Sequence, residues 1–145
     1  MSVSTSRYHS GSRSLALAMG VGAYSSTNAN GVSIQIPLCA SSGTVNLAGY
    51  TFSAYMWISV TNGSWPQIYN MATPSLQNAD GTASSTWYQG LNAGQWIQVT
   101  GPTNASSTQV RYLVIPLGFT TDAADPNNAG FAGTIYIDDV QLLPP

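Results

Sequence analysis

The chain has 145 residues, enough for one domain that buries roughly two-thirds of the surface its unfolded form exposes. Charged residues make up only 6% of it, with no Lys and no Glu, and a net charge of −2 leaves no basic stripe for a phosphate backbone, which argues against nucleic acid as a partner. With the usual surface helix formers missing and 14 Gly and 8 Pro punctuating the chain, the composition predicts strands with a Ser, Thr, Asn and Gln surface, as suits an extracellular domain.

The first strand signal is Ser14–Met19, where Leu15, Leu17 and Met19 alternate with Ala16 and Ala18 after a turn at His9-Ser10-Gly11-Ser12. Residues 20–31 read as loop. Residues 31–38 read as a strand with Val32, Ile34, Ile36 and Leu38 inward and Ser33 and Gln35 outward, until Pro37 marks an edge or an end. The single cysteine, Cys39, cannot form an internal disulfide and is expected as a small buried hydrophobe. Residues 40–47 form a turn region of small residues.

The longest strand runs over 50–60. Phe52, Ala54, Met56 and Ile58 share a core face, while Thr51, Ser53, Tyr55, Trp57 and Ser59 give the other face two large aromatics that a merely solvated surface does not require. After the Asn62-Gly63 turn, Trp65, Gln67, Tyr69 and Met71 repeat this mixture at period two and are expected to form the hairpin partner of that strand. Residues 71–87 are irregular and too long for a turn, so they read as a connection or a functional loop ending in Trp87-Tyr88.

Strands follow over 94–100, with Trp96 expected in the core beside Ile97 and Val99, and over 109–119, with apolar residues on both parities and burial expected on both sides. Residues 120–130 are a polar loop holding Asp122 and Asp125. In the last strand, Gly133–Leu143, Ile135 and Ile137 share a face but Val140 and Leu142 have the opposite parity, so the alternation slips at Asp138-Asp139 and a bulge is expected there. Short strands separated by turn clusters predict an all-β antiparallel sandwich of the jelly-roll kind, one domain over residues 1–145.

No apolar stretch is long enough to span a bilayer, so no membrane partner is expected. Met1 is followed by Ser-Val-Ser-Thr-Ser-Arg rather than a basic flank and an apolar run, so an extracellular location implies release from a longer precursor.

Catalysis fares badly on the residues present. Glycoside hydrolysis needs two carboxylates at a set separation, yet Asp80, Asp122 and Asp125 fall in loops while Asp138 and Asp139 are adjacent in a strand. The only histidine, His9, is expected in a surface turn, and one His with one Cys cannot build a zinc site. Two adjacent carboxylates do need compensation, from a calcium ion, from Arg13 or from backbone amides. Sugar rings stack their C–H faces on aromatic planes and satisfy their hydroxyls with amides, Arg and Tyr. The candidate stackers are Tyr55, Trp57, Trp65, Tyr69, Trp87 and Tyr88, with Gln35, Gln67, Gln98 and Arg111 as polar partners. With only 3 basic residues the fitting ligand is a neutral chain such as glucan, xylan or mannan.

Three segments, His9-Ser10-Gly11-Ser12-Arg13-Ser14-Leu15, then Tyr50-Thr51-Phe52-Ser53-Ala54-Tyr55 with Gly94-Gln95-Trp96, and finally Ile137-Asp138-Asp139-Val140, resemble in order and spacing the jelly-roll carbohydrate-binding modules appended to bacterial cellulases, xylanases and mannanases. The resemblance implies a non-catalytic sandwich, one sheet of which binds glycan and targets a covalently linked glycoside hydrolase, with a structural calcium near the termini. Carried over by position, Asp138 or Asp139 would supply the carboxylate ligand, with oxygens near Ser10 and Ser12 completing part of the shell. The family's earlier strand with an acidic residue is not matched here, since only residues 1–8 precede the first segment and the chain has no Glu; either the sequence begins inside the domain, without an initial strand, or the chain departs from the family pattern, and the acidic first-strand calcium ligand is missing in both cases. A structural or adhesive sandwich of a surface protein is the alternative.

Overall fold

The computed structural model describes residues 1–19, 33–40, 43–59, 71–72, 74–116 and 133–145, and among these all regular structure is β-strand. The strands are β1 (Ser2–Ser4), β2 (Ser14–Met19), β3 (Ser33–Pro37), β4 (Thr51–Ile58), β5 (Met71–Ala72), β6 (Ser75–Asn78), β7 (Ala83–Thr86), β8 (Gln89–Gly90), β9 (Trp96–Pro102), β10 (Val110–Pro116) and β11 (Gly133–Leu143). They build a five-stranded sheet in the order β1-β2-β11-β4-β9, a four-stranded sheet in the order β3-β10-β6-β7 and a small pair, β5-β8. All the strand pairings are antiparallel, and the two larger sheets face each other across one core as a jelly-roll sandwich.

Side-chain alternation decides which face meets the core. Along β4, Phe52, Ala54, Met56 and Ile58 turn inward, joined by Leu17, Ile135, Ile137 and Val99 from the same sheet. Leu76, Val110, Leu113 and Ile115 close the core from the second sheet. β10 is apolar on both parities and Val114 is buried as well as Leu113 and Ile115, as its sequence predicts.

Two sequence expectations change here. β4 is the inner strand between β11 and β9, which pair with it from Thr51 to Trp57, so its two neighbours are not the expected hairpin partner, of which only Met71 is described, in β5 against β8. Trp65, Gln67 and Tyr69 themselves lie outside the described residues, as do Asp122 and Asp125. Second, much of 71–87 is strand: β6 and β7 form a hairpin around Asp80-Gly81, with the backbone N–H of Asn78 donating to Thr82 and that of Gly81 to Asn78. This hairpin is poor in apolar residues because hydroxyls hold it. Ser85 and Ser107 share a buried hydrogen bond of 2.8 Å, Ser107 donates to Ser84 at 3.1 Å, and Asn104 donates to the Ser84 carbonyl at 2.8 Å.

The bulge expected in β11 is present. Asp138 pairs with Tyr55 and Gln141 with Ser53, so the strand carries one extra residue there, and Asp139 adopts φ 49° in the left-handed region that Asp tolerates better than most residues. Cys39 is half-buried, its thiol donating to the Gly43 carbonyl.

Candidate functional site

The face of the five-stranded sheet turned away from the core carries the aromatic residues in rows set by register. Tyr136 of β11, Trp57 of β4 and Trp96 of β9 stand opposite one another on three neighbouring strands. At ~4.8 Å per strand they span about 10 Å. The adjoining row is Asp138, Tyr55 and Gln98. Gln98 donates to the Ser53 hydroxyl at 3.1 Å and the Thr100 hydroxyl to the Phe52 carbonyl at 2.8 Å, so this end of the sheet is lined with polar groups.

The turn of residues 5–13, between β1 and β2, lies across these rows. Arg7 places its guanidinium carbon 3.8 Å from the Trp57 ring centroid and 5.7 Å from that of Tyr136, and Tyr136 meets Trp57 edge-on at 5.4 Å. The Trp57 indole is therefore only 8% exposed although it points away from the core. His9 stacks on Tyr55 with centroids 3.5 Å apart and planes 11° from parallel, and meets the edge of Trp96 at 5.8 Å. Guanidinium and imidazole sit where a planar ligand would stack.

The bulged carboxylates fasten this turn. Asp138 Oδ2 accepts the backbone N–H groups of His9 at 2.8 Å and Ser10 at 3.2 Å, while its Oδ1 accepts the N–H of Asp139 at 2.8 Å. Asp139 Oδ1 accepts the Ser10 hydroxyl at 2.6 Å and its Oδ2 lies 2.8 Å from His9 Nδ1. The Ser10 hydroxyl first, and then the His9 imidazole, hold the Asp139 carboxyl below the usual carboxylate range. An ionised carboxylate only accepts, so His9 Nδ1 carries the proton between them.

Of the three compensations open to the acidic pair, the structure uses backbone amides, with His9 and Ser10 added, and not Arg13. Every oxygen of the pair already faces a donor hydrogen, and among the described residues no group of three His, Cys, Asp or Glu side chains gathers around a metal position. Calcium wants six to eight oxygens around it. An ion at the clasp would have to share these oxygens with their present donors, and Ser12 is exposed at its margin.

The other candidate residues scatter. Tyr55, Trp57 and Gln98 share the outer face just described. Gln35, on β3, points outward from the opposite sheet, and Arg111, on β10 of that sheet, stands 5.2 Å over Tyr112, so neither can share a ligand with Trp57. Tyr88 is 69% exposed between β7 and β8. Trp87 lies in the interior: its ring stacks on Phe52 at 4.4 Å and its Nε1 donates to the Pro102 carbonyl at 3.1 Å. Trp96, expected in the core, faces outward because it pairs with Trp57. Trp96, Tyr136, Arg7 and His9 are the site residues that sequence reading passed over. Tyr136 was findable, since it stands between inward Ile135 and Ile137; the other three depend on strand order and on the path of the turn.

No family model matches the chain and no curated protein matches it. Solved structures do. The C-terminal family 22 carbohydrate-binding module of Clostridium thermocellum Xyn10B superimposes with a TM-score of 0.53 at 16% identity, over 98% of this chain and 78% of that one. A family 16 carbohydrate-binding module gives 0.50 at 12% identity, over 97% and 83%. A structure from work on the promiscuous specificity of carbohydrate-binding modules of the β-sandwich superfamily gives 0.55 at 14% identity, over 97% and 51%. At such identities the likeness is one of fold, and the fold of this chain is the jelly roll of carbohydrate-binding modules.

Proposed function

We propose that the domain binds a neutral β-linked polysaccharide, a glucan, xylan or mannan, on the outer face of its five-stranded sheet, without catalysis. In its parent protein it would hold a linked glycoside hydrolase close to substrate outside the cell. The observation that carries this reading is the row Tyr136, Trp57 and Trp96 with Tyr55 and Gln98 beside it, on the one face of that sheet the core does not use. A sheet needs no such aromatics on a solvated face. An aromatic ring buries roughly 150–250 Å² in full contact, so stacking at ~25 cal/mol/Å² yields on the order of 2–3 kcal/mol per ring from one side. Ordering and association oppose this, which places the affinity at about micromolar.

Affinity gel electrophoresis through β-glucan, xylan and mannan tests the reading: at least one polysaccharide slows the protein and Trp57→Ala removes the retardation. Migration unchanged in all of them defeats it. The coverage of Trp57 by Arg7 favours the rival reading, a structural or adhesive sandwich whose aromatics serve its own packing. Tryptophan emission separates the two, since only a glycan site shifts it when cello-, xylo- or mannohexaose is added.

A further inference from the structure

The turn of residues 5–13 is attached to the sheet in an unusual manner. All its residues are exposed and none reaches the core, so no hydrophobic anchor fixes it. Its hold consists of the clasp on Asp138 and Asp139, the stacked rings, and local bonds in which the N–H groups of Ser6 and Arg7 donate to the Ser4 hydroxyl and the Ser14 hydroxyl donates to the Arg7 carbonyl. The strand leading into it is only Ser2–Ser4, with Val3 65% and Met1 83% exposed. Segments held by exposed hydrogen bonds with little buried apolar area open far more readily than a core strand. What this turn covers is the aromatic row: the guanidinium rests at 3.8 Å from the Trp57 centroid and the imidazole at 3.5 Å from that of Tyr55, the heights at which a sugar ring would stack.

We propose that the turn of residues 5–13 is a displaceable cover whose Arg7 and His9 occupy the stacking places of the glycan, so that binding requires the cover to leave Trp57 and Tyr55. The proposal rests on the glycan reading of this face. A cover closed most of the time weakens the observed affinity by the fraction of molecules that are open. The strained, bulged Asp139 belongs to the device, because its left-handed backbone turns a carboxylate toward Ser10 and His9.

Amide hydrogen exchange and calorimetry on the whole chain test it. With cellohexaose, xylohexaose or mannohexaose at saturation, the His9 and Ser10 amides, which donate to Asp138, should exchange at least fivefold faster while core amides of β4 do not change. Asp139→Asn, which tolerates the left-handed backbone but supplies one acceptor oxygen where the carboxylate has two, and separately Arg7→Ala, should each tighten glycan binding threefold or more. A glycan that binds while the His9 and Ser10 amides stay protected overturns the cover and leaves the glycan reading standing. So does weaker binding by Arg7→Ala, which would make Arg7 a ligand contact. No binding by wild type or by either opened variant overturns the glycan reading, and the competition with it.

Discussion

Gly101 faces the Trp87 indole so closely that a methyl group cannot be added without moving it. A Cβ built on Gly101 would lie 2.6 Å from Trp87 Cδ1 and 2.9 Å from Nε1, inside any real contact distance. Trp87 has little room to move, since its ring is stacked on fully buried Phe52 and its Nε1 is bonded to the Pro102 carbonyl. Overpacking of this kind costs ~1–3 kcal/mol. Losing the bond from Nε1 to the Pro102 carbonyl adds about 1 kcal/mol, so Gly101→Ala should destabilise by about 2–4 kcal/mol. Against a typical domain stability of ~5–15 kcal/mol this is large, and at about 2–4 °C per kcal/mol it lowers Tm by roughly 5–15 °C. Urea denaturation followed by far-ultraviolet circular dichroism should show a lower midpoint with an unchanged slope. In the double variant with Trp87→Leu, whose smaller side chain leaves room, the second substitution should cost at least about 1 kcal/mol less than in wild type. Gly101→Ala shifting stability by less than about 0.5 kcal/mol, or the two substitutions adding without coupling, would refute the wedge. Glycan affinity should not follow: a loss of binding in folded Trp87→Leu would place the indole in the site after all.

Three further outcomes are expected. Gln35→Ala and Arg111→Ala, on the opposite sheet, should leave retardation by any bound polysaccharide within twofold of wild type, whereas Tyr136→Ala should weaken it tenfold or more in affinity gels. The Thr82 hydroxyl, then its backbone N–H, hold the Asp80 carboxyl below its ordinary value, so the turn's stabilisation is complete above that value and is lost as pH falls through the lowered one; carbon-13 titration should find Asp80 titrating below a free aspartate and moving upward in Thr82→Val. Millimolar calcium or a chelator should leave Tm unchanged within about 1 °C; a rise with calcium would mean the clasp at Asp138 and Asp139 rearranges to admit the ion.

The fold was legible where a strand has one apolar face. Phe52, Ala54, Met56 and Ile58 identify the inner strand, Leu15 and Leu17 mark β2, and the parity slip in the last strand locates the bulge to the residue. Where hydroxyls replace apolar area the alternation falls silent. Ala83, Ser84, Ser85 and Thr86 look like loop, yet they pair with β6, and the contacts of Ser84 and Ser85 with Ser107 and Asn104 anchor them in place of apolar area. The site was half legible for a different reason. Period two separates a strand's two faces but does not say which is inside, so Trp96 was assigned to the wrong one, while Trp87 lies just past the end of β7, where alternation says nothing, and turns inward onto Phe52. Trp57 was placed on the correct face, yet its covering came from Arg7, fifty positions away in the chain and joined to it only through the order of the strands.

The ladder itself has no use for the extra residue in β11. Were Asp139 deleted, Val140 would stand opposite Ala54, Gln141 would still meet Ser53 and Leu142 would still meet Phe52, giving a regular strand with every later side chain on its present side. What the insertion supplies is a second acid: it swings Asp139 out of the pleat onto Ser10 and His9, beside the grip that Asp138 already has on their amides. A shortened last strand would thus leave the sandwich whole and its N-terminal turn more loosely held, by Asp138 and the stacked rings without the second acid, which makes chain length at this point a lever on the outer face alone.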